Sequence, residues 1–307
     1  MVSILLRLGT RGSPLALAQA RQTQALLAGL LEIAPERIEI RVIKTSGDMI
    51  RDRPLSEVGG KGLFTKEIER ALEDGEVDIG VHSCKDMPTA LPDGLVLAGF
   101  LEREDVRDAL IAPGIASFAA LPQGAVVGTA ALRRQAQVKH LRPDLKTVLF
   151  RGNVETRLRK LAEGQADATL LAVAGLKRLG LLAHASAILS EEDFLPAVGQ
   201  GAICLETRAD DGETNRHVAG IDHRDTHLAV ALERAFLTVL DGSCRTPIAG
   251  HAVVEGDAIR FRGLILKPDG SEVHEARRSG GVEEAEALGR SAGEELRARG
   301  GEGFFAS

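Results

Sequence analysis

The amino-acid sequence predicts an α/β protein of two lobes, followed by a smaller C-terminal α+β domain with a three-stranded antiparallel sheet. Three observations lead there. Short strand-like apolar runs alternate with helix-period segments through the first two thirds of the 307 residues. That plan is repeated with local echoes: Leu8-Gly-Thr-Arg11 and Val127-Gly-Thr-Ala130 each open a helix, while Glu73-Asp-Gly-Glu-Val-Asp78 and Ala162-Glu-Gly-Gln-Ala-Asp167 each precede a strand. Beyond Thr226 the alternation gives way to one helix, three strand-like runs and a last helix.

The first lobe begins with a strand over Ile4 to Gly9 and a helix over Pro14 to Leu31. Pro14 suits a first turn, where its missing N–H costs nothing, and Ser13 stands before it as the N-cap. A strand over Ile38 to Lys44, a helix from Phe64 to Glu73 and a strand over Asp78 to Val81 follow. His82-Ser-Cys-Lys-Asp-Met-Pro88 reads as a loop, since Pro88 blocks helix continuation. In the second lobe the strands are Val126 to Gly128, Thr147 to Phe150 and Ala168 to Ala172, with helices over Leu132 to Leu141 and Val154 to Glu163. The C-terminal domain has a helix over Thr226 to Leu240, strands over Ile248 to Val254, Ala258 to Leu266 and Glu272 to Arg277, and a helix over Val282 to Arg299. Glycine after a helix is common C-cap chemistry, so unlike lobes would end the duplication reading. The domains are expected at 1–101 with 202–221, 102–201 and 222–307.

Composition narrows the function classes. Hydrophobic residues are 44% and charged residues 27%, as in soluble globular proteins. All aromatics are Phe, with no Trp or Tyr, so platforms for stacking bases are scarce, and the formal charge of -6 opposes a generic nucleic-acid binder. Cys84, Cys204 and Cys244 are far apart without CxxC or His spacing, which disfavours disulfides and a zinc site. The apolar run Ile4 to Leu6 with Leu8 is too short for a signal-peptide core, and no stretch approaches the ~18 apolar residues of a membrane span. A cytoplasmic protein is expected.

Arginines at predicted helix starts are the most informative feature: Arg11, Arg133-Arg134, and Arg151 with Arg157 and Arg159. Helix N-termini offer unpaired N–H groups, and guanidinium forks match carboxylate or phosphate. Any single Arg can equally lie on a solvated face. Their recurrence after strand ends points to a shared anionic ligand at the strands' carboxyl edge. Val58 to Phe64 lacks phosphate-loop spacing and reads as a glycine loop carrying Lys61, or as a plain surface turn. Lys85-Asp86 places an acid beside a base, and Asp86 either accepts hydrogen bonds from a ligand or caps its loop. Cys244 lies in the Gly- and Pro-bounded turn Asp241 to Pro247 beside Arg245, a setting that favours thiolate. Cys204, within the apolar run Ala202 to Leu205, reads as inert core, and Cys84 has no assigned role.

Taken together, Thr10-Arg-Gly-Ser-Pro-Leu-Ala-Leu17, Val58-Gly-Gly-Lys-Gly-Leu-Phe64, His82-Ser-Cys-Lys-Asp-Met-Pro88, Leu132-Arg-Arg134, Arg151-Gly-Asn153, Leu195-Pro-Ala-Val-Gly-Gln-Gly201 and Gly242-Ser-Cys-Arg-Thr-Pro247 closely resemble the hydroxymethylbilane synthase, or porphobilinogen deaminase, family. The likeness spans nearly the whole chain. It implies two lobes like those of type II periplasmic binding proteins and a third domain carrying the cofactor. It implies head-to-tail condensation of four porphobilinogen molecules with loss of four ammonia, then hydrolytic release of hydroxymethylbilane for tetrapyrrole and haem synthesis. By the same resemblance Cys244 holds a dipyrromethane cofactor through a thioether, no metal takes part, and Asp86 is the catalytic carboxylate. Arg11, Ser13, Gln19, Lys61, Ser83, Lys85, Thr129, Arg133, Arg134, Arg151, Arg157, Arg178 and Gln200 match positions that bind cofactor or substrate, and the resemblance implies a monomer.

The allocation makes physical sense, because a growing chain with acetate and propionate arms accumulates carboxylates that must be paired when buried. The sequence departs from the family at Gly128-Thr-Ala-Ala-Leu-Arg-Arg134, where the family commonly has two serines in place of Ala130 and Ala131. Two other classes compete. A non-enzymatic two-lobed binding protein for an anionic small molecule explains lobes and arginines but not Cys244, and an RNA-binding module is opposed by the acidic balance.

Overall fold

The computed structural model describes residues 3–49, 62–240 and 246–305. Among these, residues 3–49, 62–104 and 201–227 form one compact unit, and 105–200, 228–240 and 246–305 form a second.

The first unit is built on β1 (Leu6–Thr10), α1 (Pro14–Leu30), β2 (Ile38–Val42), the short α2 (Ser46–Met49), α3 (Lys66–Glu73), β3 (Ile79–Ser83) and β4 (Leu95–Phe100). Unit 2 carries β5 (Asp108–Ile111), β6 (Val126–Gly128), α4 (Leu132–Leu141), β7 (Lys146–Val148), α5 (Val154–Ala162), β8 (Ala168–Ala172), α6 (Val173–Arg178) and β9 (Ala187–Ile188). The chain then returns to unit 1 as β10 (Ile203–Arg208) and α7 (Gly212–Ala219). α8 (Arg224–Val239) leads to the C-terminal β11 (Ile248–Glu255), β12 (Ala258–Leu266), β13 (Val273–Gly281) and α9 (Ala285–Gly300).

The two larger sheets share one plan. Their orders are β2-β1-β3-β10-β4 and β7-β6-β8-β5-β9. In the first, β1 runs parallel to β2 and β3, and β10 lies antiparallel between β3 and β4. In the second, β6 runs parallel to β7 and β8, and β5 lies antiparallel between β8 and β9. The likeness extends to single hydrogen bonds. Asp78 Oδ2 accepts the Arg7 N–H at 2.8 Å just before β1 pairs with β3, and Asp167 Oδ2 accepts the Val126 N–H at 2.7 Å just before β6 pairs with β8. Gly75 and Gly164 end α3 and α5 at positive φ of 68° and 73°, where a side chain would be strained. The second echo in the sequence therefore marks one helix-to-strand turn used twice. Duplication survives the test of unlike lobes.

Strand placement follows burial. In β5, Leu110 faces one cluster with Val127, Val138, Leu170 and Phe194, while Ala109 and Ile111 face another with Phe150, Leu171 and Leu176. Both faces are covered, so the strand is apolar throughout rather than alternating. The predicted loop at His82 differs: β3 continues through Ser83, because Ser83 pairs with Ile203 of β10, and Cys84–Asp86 form one 3-10 turn.

The C-terminal sheet is antiparallel in the order β11-β12-β13. Its core includes Leu232 and Phe236 from α8, Phe261 and Ile265 from β12 and Ala292 and Leu296 from α9. The glycines of α9 set the spacing of the two helices: a Cβ on Gly289 would lie 2.2 Å from the Leu232 carbonyl oxygen. On α1, by contrast, a Cβ on Gly29 meets nothing within 4 Å. Gly289→Ala is expected to lose about 1–3 kcal/mol through overpacking against backbone. Gly29→Ala is expected to be neutral or to gain up to ~1 kcal/mol from helix propensity. Thermal melts of both variants check this, and a Gly289→Ala protein as stable as wild type contradicts the close helix contact.

Candidate functional site

In unit 1 the sequence-predicted residues gather around the end of β3. Val81 and Ile79 lock one face of this strand into the core, and Ser83 emerges at its end. Gln19, on the buried side of α1, donates from Nε2 to Ser83 Oγ at 2.8 Å, joining two predicted site residues 64 positions apart. Ser13 caps α1 as expected, its Oγ accepting from Ala16 N at 3.2 Å. Arg11 lies just before this helix, its guanidinium carbon 4.2 Å from the centre of the Phe64 ring. Contacts of this kind contribute ~0.5–2 kcal/mol. Phe64 is a packing partner that sequence reasoning missed. Lys85 and Asp86 follow in the 3-10 turn, both half-buried. That turn is tied to the segment before β10 by Cys84 N donating to Ala202 O at 3.0 Å, and is closed by Met87 N donating to Cys84 O at 3.1 Å.

Behind this turn is a buried polar cluster that the sequence did not reveal. His82 Nε2 lies 3.0 Å from Glu206 Oε2, with side chains 4% and 0% exposed. Glu206 Oε1 is buried without a hydrogen-bond partner among the described residues. Nearby, burial pushes the Glu69 carboxyl up, although the Thr65 hydroxyl, donating to its Oε1 at 2.6 Å, works in the opposite direction. Cys204 is core, as expected, and Cys84 is buried as well.

In unit 2 the predicted residues gather around the start of α4. Thr129 follows β6, and its Oγ1 accepts from Ala131 N at 3.2 Å. Ala131 is the N-cap residue and gives no side-chain hydrogen bond. From the first turn of α4, Arg133 and Arg134 reach inward and are 5% exposed each. Arg133 Nη2 donates to Asp108 Oδ2 and Arg134 Nη2 to Asp108 Oδ1, both at 2.7 Å. Their other ends reach carbonyls, Arg133 Nη1 to Leu195 O at 2.7 Å and Arg134 Nη1 to Leu170 O at 2.9 Å. Gln200 Nε2 donates to Val106 O at 2.6 Å and to Asp108 Oδ1 at 3.0 Å. Burial alone would raise the Asp108 carboxyl, but the charges of Arg133 and Arg134 outweigh it and hold the group below the usual carboxylate range. Two guanidinium groups against one carboxylate leave a charge of +1, and Arg134 Nε is buried with no partner among the described residues.

Arg151 and Arg157 flank the start of α5, both half-buried. Asn153 caps that helix by accepting from Thr156 N at 2.9 Å, and Arg157 Nε donates back to Gly152 O at 2.9 Å. Arg159 takes the solvated role: it faces Glu163 at 3.7 Å across one exposed turn. Arg178 ends α6 and is half-buried, so it lies at the carboxyl end of a helix rather than at a start. Lys61 and Cys244 lie outside the described residues. Asp108 is the functional neighbour that sequence reasoning passed over, for it stands in an ordinary apolar strand, Asp-Ala-Leu-Ile, and no local pattern marks it.

Among the described residues no group of three or more His, Cys, Asp or Glu side chains is arranged to hold a metal ion. No described helix is long and apolar enough to cross a membrane.

Two family models match this chain. Residues 6–216 match "Porphobilinogen deaminase, dipyromethane cofactor binding domain", and residues 227–298 match "Porphobilinogen deaminase, C-terminal domain". The chain is 60% identical over 302 residues to porphobilinogen deaminase of Nitrobacter hamburgensis and equally to that of Nitrobacter winogradskyi, covering 98% of this chain and 96% of each relative. Among solved structures it is similar to a periplasmic substrate-binding protein of an ABC transporter from Coxiella burnetii, with TM-score 0.42 and 16% identity over 71% of this chain and 92% of that one. It is also similar to the periplasmic VFT2 domain of BvgS from Bordetella pertussis, with TM-score 0.41 and 17% identity over 70% of this chain and 86% of that one. With both domain models matched and identity sustained along nearly the full length, the chain belongs to the porphobilinogen deaminase family.

Proposed function

We propose that this chain is a hydroxymethylbilane synthase, a transferase that condenses four porphobilinogen molecules head to tail, releases four ammonia and hydrolyses off the linear tetrapyrrole for tetrapyrrole and haem synthesis. The observation that carries this is the 60% identity to porphobilinogen deaminases over 302 residues. The geometry agrees in its chemistry. Every unit of the product bears carboxylate arms, and five of the thirteen predicted binding residues are arginines at or near helix starts, Arg11, Arg133, Arg134, Arg151 and Arg157.

The same residues fit a dipyrromethane cofactor. A buried cluster with one positive charge in excess and an unpartnered Arg134 Nε is suited to a further carboxylate, which a neutral or cationic ligand would not supply. When bound through a thioether to Cys244, the dipyrromethane supplies the primer from which the chain grows. Arg11, Ser13, Gln19, Lys61, Ser83, Lys85, Thr129, Arg133, Arg134, Arg151, Arg157, Arg178 and Gln200 hold the carboxylate and polar groups of cofactor and substrate. Asp86 accepts hydrogen bonds from pyrrole N–H groups, stabilises the positive charge that develops as ammonia leaves, and moves protons at its carboxylate. The tied 3-10 turn keeps that carboxylate in place. We read the protein as a cytoplasmic monomer without nucleic-acid or membrane partners, divided at 1–101 with 202–221, 102–201 and 222–307.

Three outcomes follow. Native mass spectrometry should find one chain of 32.6 kDa plus a dipyrromethane, with the increment absent from Cys244→Ser; an unmodified wild-type chain would count against the assigned activity. Asp86→Ala should lower turnover by at least ~100-fold, the scale of general acid–base and charge-stabilising groups, without lowering the melting temperature. Near-normal ammonia release by that variant would remove Asp86 from the mechanism. Finally, Ala130→Ser with Ala131→Ser should change kcat/KM by less than about fivefold, since the helix-start N–H groups remain and one hydroxyl bond is worth only ~1 kcal/mol net. Bilane formation detectable only in the double-serine variant would contradict this.

A further inference from the structure

We infer that Asp108 is a positioning residue for carboxylate recognition: it grips one nitrogen each of Arg133 and Arg134, fixes the direction of both guanidinium groups and leaves the cluster one positive charge for a ligand. The inference rests on the function proposed above and concerns how that site is prepared.

Asp108 opens β5, in register with Ala172 of β8, and its side chain is 0% exposed, so it cannot turn away to water. Each of its oxygens has its own arginine, Oδ2 with Arg133 Nη2 and Oδ1 with Arg134 Nη2. Gln200, held in turn by Val106 O at 2.6 Å, adds a second donor to Oδ1. With each Nη1 on a backbone carbonyl, both guanidinium planes are pinned at two points. Pinning lowers the conformational entropy that a flexible arginine would lose on meeting its ligand. The charge count matters as much. An apolar residue in place of Asp108 would leave two buried guanidinium groups facing each other, and a second acid would leave no charge for the ligand. One acid between two arginines avoids both.

Asparagine separates these roles from simple packing. Its oxygen belongs where two donors converge, Arg134 Nη2 and Gln200 Nε2, which turns its amide nitrogen against Arg133 Nη2, donor against donor. Asp108→Asn therefore acts through Arg133. Removing Arg133 as Arg133→Met keeps an apolar stem beside the Phe194 ring, 5.7 Å from the guanidinium carbon.

The experiment compares wild type, Asp108→Asn, Arg133→Met and the double variant by intact mass for attached dipyrromethane, by melting temperature, and by kinetics with porphobilinogen normalised to the cofactor-loaded fraction. Each single variant should raise KM about tenfold with kcat within about threefold, and lower the loaded fraction. Adding Asp108→Asn to Arg133→Met should not raise KM further, because the residue through which Asp108 acts is already gone and the cluster regains its net charge of +1. Multiplying effects, or wild-type KM and loading in either single variant, overturn the inference. If Asp108→Asn does not fold, the double variant, whose net charge of +1 matches that of wild type, still decides: KM no higher than that of Arg133→Met supports positioning, and a further tenfold rise refutes it. A wild-type chain without the dipyrromethane mass would sink the proposed function itself, which is a separate result.

Discussion

Burying positive charge is the constraint around which the second lobe is arranged. An unpaired ion in a protein interior costs far more than any one packing contact returns, so a buried guanidinium needs an anion and acceptors for its donors. Arg133 and Arg134 obtain them from three separate parts of the chain: Asp108 on β5, Leu170 on β8 and Leu195 in the segment before β10. That segment is fastened in turn by Gln137 of α4, whose Nε2 donates to Leu195 O at 3.0 Å and whose Oε1 accepts from Leu195 N at 2.8 Å. Gly250 N of β11 donates to Pro196 O at 3.0 Å, and Gly199 N donates to Glu233 Oε2 of α8 at 2.7 Å. The helix that leads towards residue 244 and the arginine pair are thus referenced to the same stretch of backbone.

Much of the layout was legible because local signals and tertiary structure agree. Ser13 with Pro14, Asn153 before Val154, and the glycines after α3 and α5 are short-range instructions, and each produced the element that its chemistry predicts. The antiparallel strands were harder. β5 and β10 are interior strands next to the edge of their sheets but come from outside the repeated strand–helix unit, so their partners are distant in sequence and no alternation announces them. β9 has only two residues and carries no periodicity at all.

The same distinction explains the site. Arginines at helix starts were visible because their residue type and position coincide. Asp108 and Glu206 were not, since each is an acid in an otherwise apolar or mixed strand, and its importance depends on what faces it: a buried arginine pair in one case and His82 in the other. An acid at the start of, or within, an otherwise apolar strand-like run is the signal that could have found both. The Arg159–Glu163 pair shows the solvated-face alternative, where a member of an arginine cluster has a partner one exposed helical turn away.

Net charge illustrates why totals mislead here. The chain carries -6 overall, yet the cluster at the start of α4 carries +1 in surroundings closed to water. Exposed acids more than about 8–10 Å away are screened by salt, whereas interactions inside the cluster are not. An acidic protein surface and a site for acidic ligands are therefore compatible, because the local field is set by a few buried groups whose spacing the fold controls. The two lobes differ in this respect despite their common topology. Beside its antiparallel strand unit 1 buries His82 with Glu206 and Glu69, and unit 2, three strand positions away, buries two arginines with one acid. One strand arrangement, used twice, buries different polar groups in the two lobes, and that asymmetry lies in the side chains rather than in the fold.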